Sequence, residues 1–521
     1  MTGRTPAARR SGPAVGTALA AVFALLAGGA WALAAPPRGW WPLLPVGSGL
    51  LAMALSRRRA RQRLLLGGLS GAVLYGATLP WLVDFSAPGY VVMAGLQAGL
   101  LALAAAGTVR WWALPAALVL LEAAQARVPF GGFPLPGLAH SQPDGPFVLA
   151  APLGGSLLVV GAAATAGVGL AALFLLPTVR TRAAAAGAAA ALAALPVVAG
   201  AAVRTPPAGT LDAVVVQGGG PRGTRAVFTD PDEVTARQLA VLAGVTGSPD
   251  LVLLPEGVVV VDAPLAATDR SRELGRYAAA LGTSLVVGVV EGEPDGFRNA
   301  AVAYGPDGSM VGRYEKEHRV PFGEYIPARG LLSRLTDATS LVPKDAIVGE
   351  GTARLALPQA TVGVVISYEV FFADRVREAV RAGGQLVLVP TNASSYVGDE
   401  VPATELAAAR LRAREFDRSV LQAAPTGYSA IVLPDGDVLA RTELGAAALL
   451  RGIVPLRTGL TPFARSGDLP MATLAGLVVL LARPRLHRRL EVSALTRLEE
   501  DSAHPKGAGI RSAPPLHWEV Q

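Results

Sequence analysis

The sequence predicts a multi-span helical membrane domain joined to an α/β domain outside the cytoplasm. Three observations predict it. Of the 521 residues, 51% are apolar and only 16% charged, and the mean hydropathy of +0.43 is too high for an ordinary water-soluble chain. Before residue 205, apolar runs approach or exceed the ~20 residues that cross a bilayer. From residue 210 onward, short apolar runs alternate with amphipathic stretches, the mark of a sheet covered on both faces.

Seven apolar segments precede residue 205: 14–35, 41–55, 63–83, 90–109, 111–126, 157–177 and 183–203. An eighth covers 469–482, and it, 41–55 and 111–126 are short enough to need their flanks. A net charge of +7 would suit nucleic acid, but the arginines gather at the borders of these runs, as in "RRRARQR" (57–63) and "RPRLHRRL" (483–490). Flanking arginine orients membrane helices, so a nucleic-acid partner is set aside. With Arg4, Arg9 and Arg10 inside, the inner loops also hold Arg57–Arg63, Arg110, Arg180 and Arg182, while the outer loops 36–40, 84–89 and 127–147 carry one arginine at most. The expected organisation is therefore a cytoplasmic N-terminus 1–13, a seven-span domain 14–204, an extracytoplasmic domain 205–468, a returning helix 469–482 and a cytoplasmic tail 483–521. That tail is basic, then polar and disordered. The location implied is the cell membrane. The first span, ending "AWALAAPP", also reads as a cleavable signal peptide, and both readings place its basic end inside.

Strand-like runs in the 210–458 region are "LDAVVVQG", "DLVLLPEG", "TSLVVGVVEG", "NAAVAYGP", "TVGVVISYE", "GQLVLVPT" and "YSAIVLPDG". Helical patterns such as "PDEVTARQLAVLAG" and "PATELAAARLRAREFDRS" lie between them. No cysteine is present, which excludes disulfides and thiol chemistry, and the five scattered histidines show no metal-ligand spacing. No cofactor or metal is expected. "VQGGGPRG" (216–223) lacks the spacing of a phosphate loop and reads as the turn after the first strand.

Three polar groups stand at strand ends in apolar surroundings. Glu256 follows the run "LVLLP", where desolvation would raise its pKa and suit a general base, although a loop-capping carboxylate reads the same way. Lys316 lies in "GRYEKEHRVPFGEYIP", either buried or one more solvated charge. Ser367 ends the run "VGVVIS", as a nucleophile or as a small residue bonded to backbone.

The order "LLPEG", "YEKEHRVPFGEYIP" and "GVVISYE" resembles the Glu–Lys–Cys set of the nitrilase superfamily. With "GGFPLPGLAHSQPDGP" (131–146), the stretch 392–436 and the eight spans, the chain is similar to apolipoprotein N-acyltransferases. The resemblance implies a nitrilase-like α-β-β-α sandwich. It also implies transfer of an acyl chain from a phospholipid donor to the N-terminal diacylglyceryl-cysteine of lipoproteins by a ping-pong route. It assigns the base to Glu256 and oxyanion stabilisation to Lys316 and the Tyr368 N–H, and it gives Glu324, Tyr368 and Glu369 supporting roles. Some members work with a polyprenol-phosphate mannosyltransferase, which would be a separate partner here.

The departure is at the nucleophile, where Ser367 stands in the thiol position. A serine hydroxyl needs a base in contact throughout the attack, which a thiol near pKa 8.5 does not. Tryptophans expected at Leu135 and near Tyr396 are absent as well. Several readings stay open at this point: a serine-dependent acyltransferase, an engineered Cys→Ser trap, a paralogue kept as a lipoprotein- or lipid-binding scaffold, or a membrane-tethered amidohydrolase.

Overall fold

The computed structural model describes residues 16–334 and 342–483. The expected basic N-terminus and the tail beyond 483 lie outside the described residues.

The first half is a helical bundle of α1 (Thr17–Ala34), α2 (Leu43–Leu55), α3 (Ala60–Thr78), α4 (Ala87–Gly107), α5 (Leu114–Gln125), α6 (Ala151–Leu175) and α7 (Val179–Ala201). Four stretches are long and apolar enough to cross a bilayer: Thr17–Ala34, Ala87–Gly107, Pro146–Leu175 and Val179–Ala201. α2 and α5 are apolar but shorter. Small residues let the helices touch backbone to backbone, since a Cβ on Gly71 would lie 2.7 Å from the Ala98 Cα. α6 runs from Ala151, but Gly154 and Gly155 leave helical geometry and kink it, so its long regular stretch starts only after them, close to the expected 157.

The second half contains α8 (Pro231–Leu242), α9 (Asp269–Leu281), the short α10 (Arg329–Leu332), α11 (Ala373–Arg381), α12 (Glu400–Phe416) and α13 (Pro462–Ser466). Its strands are β1 (Pro207–Gln217), β2 (Leu251–Leu253), β3 (Val259–Val261), β4 (Ser284–Glu293), β5 (Gly296–Tyr304), β6 (Met310–Glu315), β7 (Arg354–Ala356), β8 (Thr361–Val364), β9 (Val387–Pro390), β10 (Val420–Ala423), β11 (Ala430–Val432), β12 (Val438–Arg441) and β13 (Ala448–Arg457). They form two mixed sheets, ordered β13-β1-β2-β4-β5-β6, with β3 beside β4, and β12-β11-β10-β9-β8-β7. A last apolar helix, α14 (Leu469–Leu481), returns along α5.

Strand alternation builds the layers. In β1, Leu211, Ala213 and Val215 face the other sheet, where they meet Val362, Val364, Leu388 and Leu421. Val214 and Val216 face the opposite way, onto Leu239 and Leu242 of α8 and Leu274 of α9. On the far side of the second sheet, Val387, Val389 and Val420 pack with Leu411 and Phe416 of α12, in one cluster with Leu118 and Val159 of the bundle. The result is an α-β-β-α sandwich whose α11/α12 layer is held between a sheet and the membrane helices.

Candidate active site

Glu256 follows β2 after Leu254 and Pro255, at the end of a fully buried strand. The turn can lie against β4 because residue 288 is glycine: a Cβ there would sit 2.3 Å from the Pro255 carbonyl oxygen and 2.4 Å from the Glu256 Cα. Lys316 is the residue after β6, and only 3% of it is exposed, so it is no solvated surface charge. Its ammonium donates to Glu256 Oε1 at 2.9 Å and to Glu324 Oε1 at 2.8 Å. Asn299 on β5 donates its amide to the same two oxygens, at 2.7 and 3.0 Å. The other Glu324 oxygen accepts from the Val320 N–H at 2.7 Å, which fixes the "VPFGE" loop over the lysine.

One ammonium is shared by two carboxyl groups. Burial raises the Glu256 pKa above the ordinary carboxylate value, Lys316 opposes that, and Glu324 adds to it. Burial alone would lower the Lys316 pKa, yet the carboxylates of Glu256 and Glu324 more than offset it and hold the lysine protonated. The lysine is a fixed positive charge.

Ser367 opens a tight turn, Ser367–Phe371, three residues beyond the end of β8. Its φ of 49° lies in the left-handed region, which costs a non-glycine residue on the order of 1–3 kcal/mol. The hydroxyl donates to Glu405 Oε1 on α12 at 3.3 Å. Thr391, just past β9, donates to that same oxygen at 2.7 Å, and its carbonyl accepts the Glu256 N–H at 3.3 Å. Thr391 thus ties the Glu256 turn to the Glu405–Ser367 pair. The base expected for the serine is Glu256, whereas the carboxylate bonded to its hydroxyl is Glu405.

Glu369 is completely buried and accepts from the Tyr314 hydroxyl at 2.8 Å and from the N–H groups of Ile366, Glu317 and His318 at 2.7, 2.8 and 3.0 Å. It clamps the lysine loop to the serine turn. The Tyr368 hydroxyl donates to the Gly132 carbonyl at 2.9 Å, inside the bundle segment "GGFPLPG". Leu135 of that segment is buried in the core shared by the two halves. Trp81 and Phe85 of the α3–α4 connection meet the Tyr396 ring at 5.3 and 5.6 Å. His318 stacks on Phe372 at 4.4 Å and touches none of the reacting groups. A cavity of about 570 Å³ lies beside α5, α11, α13 and α14, lined in part by Arg127, Arg377 and Phe463, and none of the cluster residues borders it.

Asn299, Thr391 and Glu405 escaped the sequence reading. Asn299 and Thr391 sit in ordinary strand patterns, and Glu405 reads as one more polar residue of an amphipathic helix. Its only signal is its place among Leu406, Ala408 and Ala409, all buried.

Sandwich and cluster define a carbon–nitrogen hydrolase type of domain built on a helical membrane base. Residues 27–169 match the model of the apolipoprotein N-acyltransferase N-terminal domain, and 227–456 that of carbon-nitrogen hydrolases. The apolipoprotein N-acyltransferase of Mycolicibacterium smegmatis is 31% identical over 89% of this chain and 86% of its own. That of Azotobacter vinelandii is 30% identical over 91% and 96%. A solved amidase from Nesterenkonia sp. covers 52% of this chain and 97% of its own, at 20% identity and a TM-score of 0.37. The chain belongs to the apolipoprotein N-acyltransferase family.

Proposed function

We propose that this protein transfers an acyl chain from a phospholipid to the N-terminal amine of diacylated lipoproteins, with Ser367 as the acyl-carrying nucleophile. The observation that carries the reading is the junction at Thr391, which joins a buried Lys316–Glu256–Glu324 group to a serine in a strained turn. The Lys316 ammonium supplies positive charge for the oxyanion that forms when the ester carbonyl is attacked. Glu256 and Glu324 hold that ammonium in place, and Glu369 fixes its loop relative to the serine. Tyr368 and Tyr396 join this machinery to bundle segments, which suits a donor whose acyl chains stay in the bilayer. Membership of the family and the apolar helices make it a membrane protein.

The seven-plus-one span count and the placement of 205–468 outside the cytoplasm belong to the same proposal. Bundle segments that touch the α/β domain include those around Trp81, Gly132, Asp144 and Ser156, while Arg57–Arg59, Arg110 and Arg180 lie in connections on the alternate side. A mannosyltransferase partner rests on the resemblance alone and has no feature of this chain behind it.

The test is intact-protein mass spectrometry after incubation with phosphatidylethanolamine vesicles. Wild type should gain one acyl group, Ser367→Ala none, and a diacylated lipopeptide should discharge the adduct. An unmodified wild type that still binds the lipopeptide would replace this reading with the scaffold one.

A further inference from the structure

We propose that Glu405 is the general base of the serine, so that Ser367, Glu405 and Thr391 form a nucleophile–base–orienter array separate from the Glu256–Lys316 group. The proposal rests on the acyl-transfer reading above and changes which residue takes the proton. Its ground is contact. The Ser367 hydroxyl points at Glu405 Oε1, which Thr391 also holds. Glu256 Oε1, in contrast, is occupied by Lys316 and Asn299. A serine requires its base in hydrogen-bond contact during attack, and Glu405 meets that geometric condition.

The carboxyl is also suited to the task. Burial pushes its pKa up to about 7, against the lowering bond from Thr391 and with help from the negative charge of Glu256. Near neutrality the carboxylate is both present in quantity and more basic than an exposed one. As the Ser367 Oγ bonds to the donor's ester carbonyl carbon, its proton passes to Glu405. The tetrahedral intermediate then collapses, the bond to the glycerol oxygen breaks, and Glu405 returns the proton to that leaving alcohol. In the second half the lipoprotein amine attacks the serine ester and loses a proton to Glu405. The ester bond breaks, and the proton ends on Ser367 Oγ, restoring the starting state.

The experiment uses the full chain in lipid nanodiscs, phosphatidylethanolamine as donor and a diacylated lipopeptide as acceptor. Glu405→Gln is made in the wild-type background and in Ser367→Cys, whose thiol does not depend on a base in contact. Glu405→Gln should slow acyl-enzyme formation by at least ~10²-fold with serine present and by only a few-fold with cysteine. Thr391→Val, by removing the bond that lowers the Glu405 pKa, should move the pH midpoint of acylation upward from about 7 in the serine enzyme. Equal losses in both backgrounds, or an unmoved pH midpoint in Thr391→Val, would overturn the role as base. An adduct abolished by Ser367→Ala but formed at the wild-type rate in Glu405→Gln defeats this proposal and leaves acyl transfer standing. No adduct in wild type or any variant defeats both.

Discussion

A carboxyl next to a hydroxyl in a dry interior has a cost that pH reveals. Glu405 is 4% exposed, and its folded pKa of about 7 stands above the ordinary 4.5. A carboxyl that keeps its proton longer in the folded state favours folding below the unfolded value. That contribution is lost as pH rises from about 4.5 through about 7. The difference corresponds to ~3 kcal/mol, an order-of-magnitude figure for a buried group in a charged neighbourhood. Glu405→Gln has the shape of the protonated acid and never ionises. Its thermal unfolding midpoint in detergent should match wild type at pH 5 and exceed it by several degrees at pH 8. A variant less stable than wild type at pH 8 would show that the carboxylate, once charged, is better compensated than burial implies. In the expected outcome, Glu405→Gln gains stability and loses catalysis in one substitution, the trade expected where an active group is held in an unfavourable state.

The strands and turns explain both what could be seen in the chain and what could not. β1, β4, β5 and β9 are apolar on both faces because sheet meets sheet on one side and helix on the other, so their runs stand out in sequence. β12 and much of β13 alternate half-buried and exposed positions at a sheet edge and carry arginines, and that pattern is harder to separate from a loop. α12 deceives in the opposite sense. It looks amphipathic, yet Glu405, Arg412, Arg414 and Glu415 are all buried, because its polar residues pack against the bundle and, at Glu405, against the serine turn instead of water. Thus Glu256, Lys316 and Ser367 were legible at strand ends, and Glu405 was not. The turn that carries Glu256 tests how tightly these elements are fitted. Gly288→Ala places a methyl group against the Pro255 carbonyl and the Glu256 Cα, where no flexible side chain can yield. Overpacking of this kind costs ~1–3 kcal/mol. Acyl transfer should fall by about tenfold or more, because a displaced Glu256 no longer holds Lys316 where the oxyanion forms. Wild-type transfer rates in a folded Gly288→Ala protein would mean that the turn's position does not matter to the chemistry.

The two halves are joined through one end of the bundle, and its arginine cluster lies at the other. Ser156, just after the kink in α6, donates its N–H to Glu415 of α12 at 2.7 Å, and Arg410 pairs with Asp144 at 2.7 Å. Together with Trp81 against Tyr396 and Tyr325 bonded to the Phe130 carbonyl, these contacts draw on the connections after α3 and α5 and on the start of α6. The connections after α2, α4 and α6 bear Arg57, Arg58, Arg59, Arg110 and, at the start of α7, Arg180 and Arg182. An arginine-rich end facing the cytoplasm would put the sandwich and its serine on the outer leaflet, where lipoprotein N-termini lie if the proposed substrate is right. The cysteine-free chain makes this testable without background. Ser309→Cys occupies an exposed turn between β5 and β6, and Ala60→Cys lies exposed beside the arginine cluster. In intact cells a membrane-impermeant maleimide should label Ser309→Cys and spare Ala60→Cys, and permeabilisation should make both reactive. The reverse pattern would invert the molecule. It would place the acyl-transfer site on the cytoplasmic leaflet and remove the proposed lipoprotein substrate with it.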